Sequence, residues 1–135
     1  MMILNGILKT KKGKFMYSKA LDFFGNKLME DVRDRTINIW NKLLDGEMKG
    51  ETAKKVECII KNLSNEDIKL VKNLIPLIVN EDLFNMLNMF ENNNEVEIHV
   101  NLNGESVDIK DESDGLAGEL FTEDGWIEKF SNYKN

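Results

Sequence analysis

The spacing of apolar residues along this chain changes once, and the change separates a helical part from a sheet. From Phe24 to Leu44, the positions Leu28, Val32, Thr36, Ile39 and Leu43 fall on one stripe, widened by Trp40 and Leu44. A repeat of three to four residues predicts a long amphipathic helix. Gly46, just beyond it, suits a C-terminal cap. Asp31 and Arg35 lie four apart on the outer side, and the cluster Asp31, Arg33, Asp34, Arg35 reads as a solvated helix face.

Glu51 to Leu63 repeats the pattern, with Val56, Ile59, Ile60 and Leu63 inward and Cys58 as a buried thiol in the same run. Ser64 suits an N-cap, with Glu66 and Asp67 favouring the positive end of the next helix dipole. That third helix is expected from Asn65 through Ile68, Val71, Leu74 and Ile75, with Pro76 kinking or restarting it. The run from Leu74 to Val79 is apolar almost all round, so it is expected to be the most buried helix. Asn80 then reads as the cap of a fourth helix carrying Leu83, Phe84, Met86, Leu87, Met89 and Phe90, and Glu91 to Asn94 as a polar break.

From Glu95 to Leu102 the period becomes two: Val96, Ile98, Val100 and Leu102 alternate with Glu95, Glu97, His99 and Asn101. That is a half-buried strand. Asn103-Gly104 is a favoured type I′ hairpin turn. Folding across it sets Val100 against Val107 and Ile98 against Ile109 inward, with His99 against Asp108 and Glu97 against Lys110 outward. Beyond it, Asp111 to Gly115 is a turn cluster, and Ser113 or Asp114 suits the cap of a short helix from Leu116 to Phe121. Thr122 suits the cap of a last helix placing Trp126, Ile127 and Phe130 inward. A rival reading makes Leu120 to Thr122 and Trp126 to Lys129 strands about Asp124-Gly125. The expected architecture is one α+β domain over residues 1–135: four or five helices packed on a small antiparallel sheet built around the 95–110 hairpin. Residues 1–22 are read as a loose basic arm.

Charge refines this picture. The net charge of −6 argues against a general nucleic-acid binder, because phosphates repel a surface of like sign. The charge is also unevenly spread. Met1 to Lys27 holds six lysines and one aspartate, whereas Asp108 to Glu128 holds eight acids and one lysine. One cysteine excludes an intrachain disulfide, and one cysteine with one histidine cannot build a Cys/His zinc site. The amino end does not read as a secretory signal, and no apolar run reaches the length of a membrane span. A reducing cytoplasm is the expected setting.

The acidic carboxyl end holds the densest set of potential ligands in the chain. An EF-hand frame needs ligands at positions 1, 3 and 5, Gly at 6 and Glu at 12. Gly115 at position 6 puts Lys110 at 1 and Phe121 at 12, and Gly125 there puts Leu120 at 1, so both frames fail. An irregular cation site from Asp111, Asp114 and Glu119 stays open. No nucleotide-binding glycine pattern and no nucleophile elbow is present. No catalytic residue, metal ligand or cofactor is assigned. What remains is an acidic surface with aromatic anchors, which can steer a basic protein partner. Its candidate binding residues are Asp111, Glu112, Asp114, Glu119, Glu123, Asp124 and Trp126, the last if exposed. One alternative is a small hydrolase-like enzyme using His99 with Asp108 or Glu119. Another is a self-associating regulatory module, its lysine-rich arm docking on the acidic end of a second copy.

SDGLAGEL followed by TEDGWIEKFS resembles the carboxyl end of a family of small uncharacterised bacterial proteins. DVRDR (Asp31 to Arg35) and NLIPLIVNEDLFNMLNMFE fit the same pattern. The family carries no established activity. In size, acidity and helix-plus-hairpin layout the chain is similar to bacterial immunity proteins, which neutralise a partner toxin. That likeness is one of format and implies no particular residues.

Overall fold

The computed structural model describes residues 19–134. Of the arm expected over residues 1–22, only the last four positions are among them. Those are already helical, with Ala20 and Leu21 in the core. The expected docking of the lysine-rich arm on a second copy falls outside the described residues.

Helix α1 spans 19–44. Its middle, Leu28–Asp34, is a π-helix, and its last part, Arg35–Leu44, is an α-helix. A π-turn bonds i to i+5 and so holds one extra residue. Arg33 therefore stacks beneath Leu28 and Asp34 beneath Met29, and all four are buried. The expected solvated face is corrected here for Arg33 and Asp34, while Val32, expected inward, faces solvent. Gly46 caps the helix as its position suggested. It takes a left-handed φ of 72°. Its N–H donates to Leu43 O, and that of Glu47 to Lys42 O at 2.9 Å, the pairing of a Schellman motif.

Helix α2 is Glu51–Ile60 and buries only Val56. Its main neighbour is the end of α1, which covers one narrow stripe. Ile59 and Leu63 consequently lie exposed, and so does Cys58, against the expected buried thiol.

Helix α3 is a single helix, Asn65–Asn92, where two were expected. Ser64 opens it with a capping box: Ser64 Oγ accepts from the Asp67 N–H, and the Asp67 carboxylate accepts from the Ser64 N–H, both at 3.1 Å. Pro76 removes one backbone donor without ending the helix. The buried stripe Ile75, Val79, Leu83 and Leu87 runs straight through that point, and packing outweighs the lost bond. The expectation that Leu74 to Val79 is the most buried stretch fails on its outer side. Leu70, Leu74, Leu77 and Ile78 are 63%, 53%, 59% and 58% exposed. Among the described residues, other elements pack on only one side of the helix, so an all-round apolar run leaves half its side chains in water.

Strands β1 (His99–Leu102) and β2 (Glu105–Asp108) form a two-stranded antiparallel sheet. Asn103 and Gly104 have φ of 52° and 80°, as a type I′ turn requires. The register is the expected one, His99 opposite Asp108 and Val100 opposite Val107. The strands are shorter than the 95–110 reading. After Asp108 the chain winds into a 3₁₀ turn, Ile109–Glu112, although the Ile109 N–H still donates to Ile98 O at 3.1 Å. Val100 and Ile109 carry the hairpin into the helical core. The Lys110 ammonium donates to Asn94 Oδ1 at 3.3 Å and makes no ion pair with Glu97.

A second 3₁₀ turn, Ala117–Leu120, and helix α4, Trp126–Phe130, complete the α+β fold. The N-cap of α4 is Gly125 rather than Thr122, and among the described residues no strand forms in the rival position. Leu116, Ala117, Leu120, Trp126 and Ile127 close over the core. Trp126 lies against Gly25 of α1, with the Phe24 ring edge-on to it at 5.7 Å and 71°.

A Cβ at Gly25 would overlap the Trp126 indole. Gly25→Ala therefore sets two effects in opposition: better helix propensity, worth about 1 kcal/mol, and overpacking, which costs about 1–3 kcal/mol. A rigid ring cannot swing aside, so overpacking wins. Urea denaturation is expected to show a net loss of stability, and a gain would mean that the ring does not seat on α1.

Candidate functional site

The π-helical segment of α1 builds a buried polar junction. Arg33 Nε donates to Asn80 Oδ1 of α3 at 2.8 Å. Its Nη1 donates to Ser131 Oγ at 2.6 Å and to Tyr133 O at 2.7 Å. Asp34 Oδ1 accepts from Ser131 Oγ at 2.6 Å, and Oδ2 accepts from the Asn132 N–H at 2.7 Å. Arg33 Nη1 and Asp34 Oδ1 are 3.5 Å apart, and Arg33 is fully buried. Burial lowers the Arg33 pKa from its ordinary value, and the charge and hydrogen bond of Asp34 oppose that shift. Its Nη2 finds no partner among the described residues. None of these residues was expected in a buried role: Arg33 and Asp34 were read as solvated, and Asn80 as a cap. Asn80 carried a usable signal, since it falls on the helical phase of the buried Leu83 and Leu87.

The sequence-predicted binding residues divide. Asp111, Asp114, Glu123 and Asp124 are exposed, whereas Glu112 and Glu119 are partly buried. Glu119 accepts from Ser113 Oγ at 2.8 Å, and Ser113 Oγ accepts from the Gly115 N–H at 3.1 Å, so Glu119 ties the turn together. Trp126 is 1% exposed and belongs to the core, which removes it from any contact surface. Phe121, between Glu119 and Glu123, is instead 50% exposed. Its ring packs on Phe84 of α3, centroids 5.9 Å apart. Phe84 lies two turns beyond Leu77 on the same side of α3. The acidic surface therefore adjoins the exposed apolar stripe. An open groove of about 530 Å³ between α3 and the carboxyl-terminal segment is lined by Leu77, Pro76, Tyr133 and Lys134, among others.

The outer face of the hairpin gathers a second group. His99 Nε2 is 2.8 Å from Glu97 Oε2, and His99 Nδ1 is 3.5 Å from Ser106 Oγ. The hydrogen bond with Glu97 is the main cause that raises the His99 pKa, with Asp108, Glu97 and Asp111 adding their charge. His99 thus does meet Asp108, as the register implied, but Glu119 is engaged elsewhere. Among the described residues, three donors converge at Glu97, His99 and Asp108, not at Asp111, Asp114 and Glu119.

Against models of known families, curated proteins and solved structures, the chain has no match.

Two outcomes follow from this geometry. Arg33→Met removes one partner of a buried ionic junction and leaves Asp34 uncompensated, so a loss of about 3–5 kcal/mol is expected in urea denaturation. A loss below about 1 kcal/mol, the worth of an exposed ion pair, would contradict the buried geometry. The second concerns Glu112, whose pKa is pushed up to about 7 by burial, then by Asp111 and Asp108. Its folded value lies above the unfolded one of 4.5, so the folded chain holds the extra proton in that window. The stabilising effect is complete below about pH 4.5 and is lost as pH rises through about 7. Relative to Glu112→Gln, the wild type is expected to lose about 1–2 kcal/mol between pH 5 and 8, discounted for partial exposure. Parallel pH profiles of the two proteins would refute this.

Proposed function

We propose that this chain is a non-enzymatic, cytoplasmic binding protein, immunity-like in format, whose acidic carboxyl-terminal surface engages a basic protein. The observation that supports the reading is Phe121: a half-exposed aromatic ring flanked by Glu119, Glu123 and Asp124. An apolar anchor with a charged rim is the anatomy of a recognition site, the ring supplying affinity and the rim steering approach. The adjoining stripe Leu70, Leu74, Leu77 and Ile78 extends the apolar part of that surface along α3. Isolated exposed apolar residues are ordinary, but four on one helix face suggest a contact area. Among the described residues no helix is long and apolar enough to cross a membrane, which leaves this stripe without a lipid-spanning role.

The test is affinity capture from the source cell with three forms of the full chain: wild type, an Asp111→Asn/Asp114→Asn/Glu123→Gln/Asp124→Asn variant, and Phe121→Ala. The expected outcome is a basic protein retained by the wild type, released by salt and weakened more than about tenfold in both variants. Retention unaffected by the four neutralisations would sink the reading. A homodimer abolished by Leu74→Glu, with no other protein retained, would also overturn it, and would assign the surface to a second copy of the chain.

A further inference from the structure

We propose that the outer face of the hairpin is a binding site for a divalent transition-metal ion of the zinc class, with Glu97, His99 and Asp108 as its ligands. One donor atom from each of these residues lies within 4.8 Å of the other two. Nitrogen and oxygen donors sharing one zinc ion at about 2.0–2.2 Å stand roughly 3–4 Å apart. Small rotations of exposed side chains close that difference.

The arrangement is built by strand pairing. The bond from the Ile109 N–H to Ile98 O makes 98/109 a hydrogen-bonded pair. Pair types alternate along an antiparallel ladder, so His99 opposite Asp108 is the non-hydrogen-bonded kind, in which side chains stand closest. Glu97 precedes His99 by two residues and so presents its carboxylate on the same face. Asp108 is oriented further, because its Oδ1 accepts from the Lys110 N–H at 3.0 Å, which leaves Oδ2 for a ligand.

The charge balance favours a cation. The register would have set Lys110 against Glu97, but the 3₁₀ turn carries its ammonium to Asn94. Among the described residues, no lysine or arginine forms an ion pair with Glu97 or Asp108. Two carboxylates therefore share one imidazole, with Asp111 adding negative potential. In the metal-bound form the ion replaces the proton between His99 Nε2 and Glu97 Oε2. Ser106 Oγ, beside Nδ1, is placed to hold the tautomer that presents the Nε2 lone pair. One imidazole nitrogen with two carboxylates matches Zn²⁺, Co²⁺ or Ni²⁺ rather than the all-oxygen sets of Ca²⁺ and Mg²⁺.

The experiment is calorimetric titration of the chelator-treated full chain with ZnCl₂, paired with the visible absorption of its Co²⁺ form. Wild type, Glu97→Gln, His99→Ala and Asp108→Asn are compared with Glu51→Gln, an exposed acid on α2 outside the cluster. All but Asp108 are exposed, and circular dichroism reports whether each variant keeps its fold. One saturable site per chain is expected, unchanged in Glu51→Gln, weakened more than about tenfold in each ligand variant, and resistant to millimolar Mg²⁺. Should Asp108→Asn disturb the hairpin, Glu97→Gln and His99→Ala decide alone. Absence of a saturable site, or Zn²⁺ binding that survives His99→Ala unchanged, overturns the assignment.

Discussion

A guanidinium removed from water is expensive unless several acceptors replace its hydration, and in this fold those acceptors come from two distant parts of the chain and from the neighbouring Asp34. Arg33 takes Asn80 from α3, Ser131 and the Tyr133 carbonyl from the carboxyl end, and its neighbour Asp34. Asp34 in turn holds Ser131 and the Asn132 amide. No one of these segments satisfies the charge alone, so the junction forms only when all three are in place. The π-turn is what makes this possible. Two consecutive residues of a regular α-helix point about 100° apart, whereas the wider turn lets Arg33 and Asp34 both reach inward. The stretches DVRDR, NLIPLIVNEDLF and TEDGWIEKFS meet at this point through Arg33, Asp34, Asn80 and Ser131.

The junction also fixes what is left outside. With α3 held on one side by Asn80 and the stripe from Ile75 to Leu87, its opposite side has no covering layer among the described residues. With the carboxyl end latched, Trp126 is pressed on Gly25 and the last turns form a lid. Phe121 and the acids of positions 111–124 are thereby displayed on the surface beside α3. The proposed recognition surface is thus a consequence of how the core closes. The hairpin stands apart from it, entering the core through Val100 and Ile109 with Glu97 and His99 exposed on its outer face.

Much of this was legible where local chemistry decides the outcome. The Ser64 capping box, the Gly46 cap, the Asn103-Gly104 turn and the His99/Asp108 register follow from short-range rules that tertiary context did not override. The errors share a different origin. Periodicity gives the apolar side of a helix but not how many sides its neighbours cover, so Ile59, Leu74, Leu77 and Cys58 were placed inside. It also assumes a constant turn, so one extra residue in Leu28–Asp34 exchanged Val32 for Arg33 and Asp34. Pro76 was read as a break because its local cost is visible in sequence, whereas the continuous stripe that outweighs it is not. At the candidate surfaces, the sequence shows where the acids cluster, but only the fold separates exposed Asp111 and Asp124 from turn-bound Glu119 and buried Trp126.

If the Arg33–Asp34 junction holds the fold closed, the chain end must be as protected as the core. Native-state hydrogen exchange of the Asn132 and Tyr133 amides measures this most directly. Asn132 donates to Asp34 Oδ2 and Tyr133 to Ser131 Oγ, although both lie in irregular backbone beyond α4. The expected result is exchange only through global unfolding, at the rate of core amides such as that of Ile37. Exchange at the rate of a frayed terminus, with core amides still protected, would show that the latch opens independently and that the junction does not govern the fold.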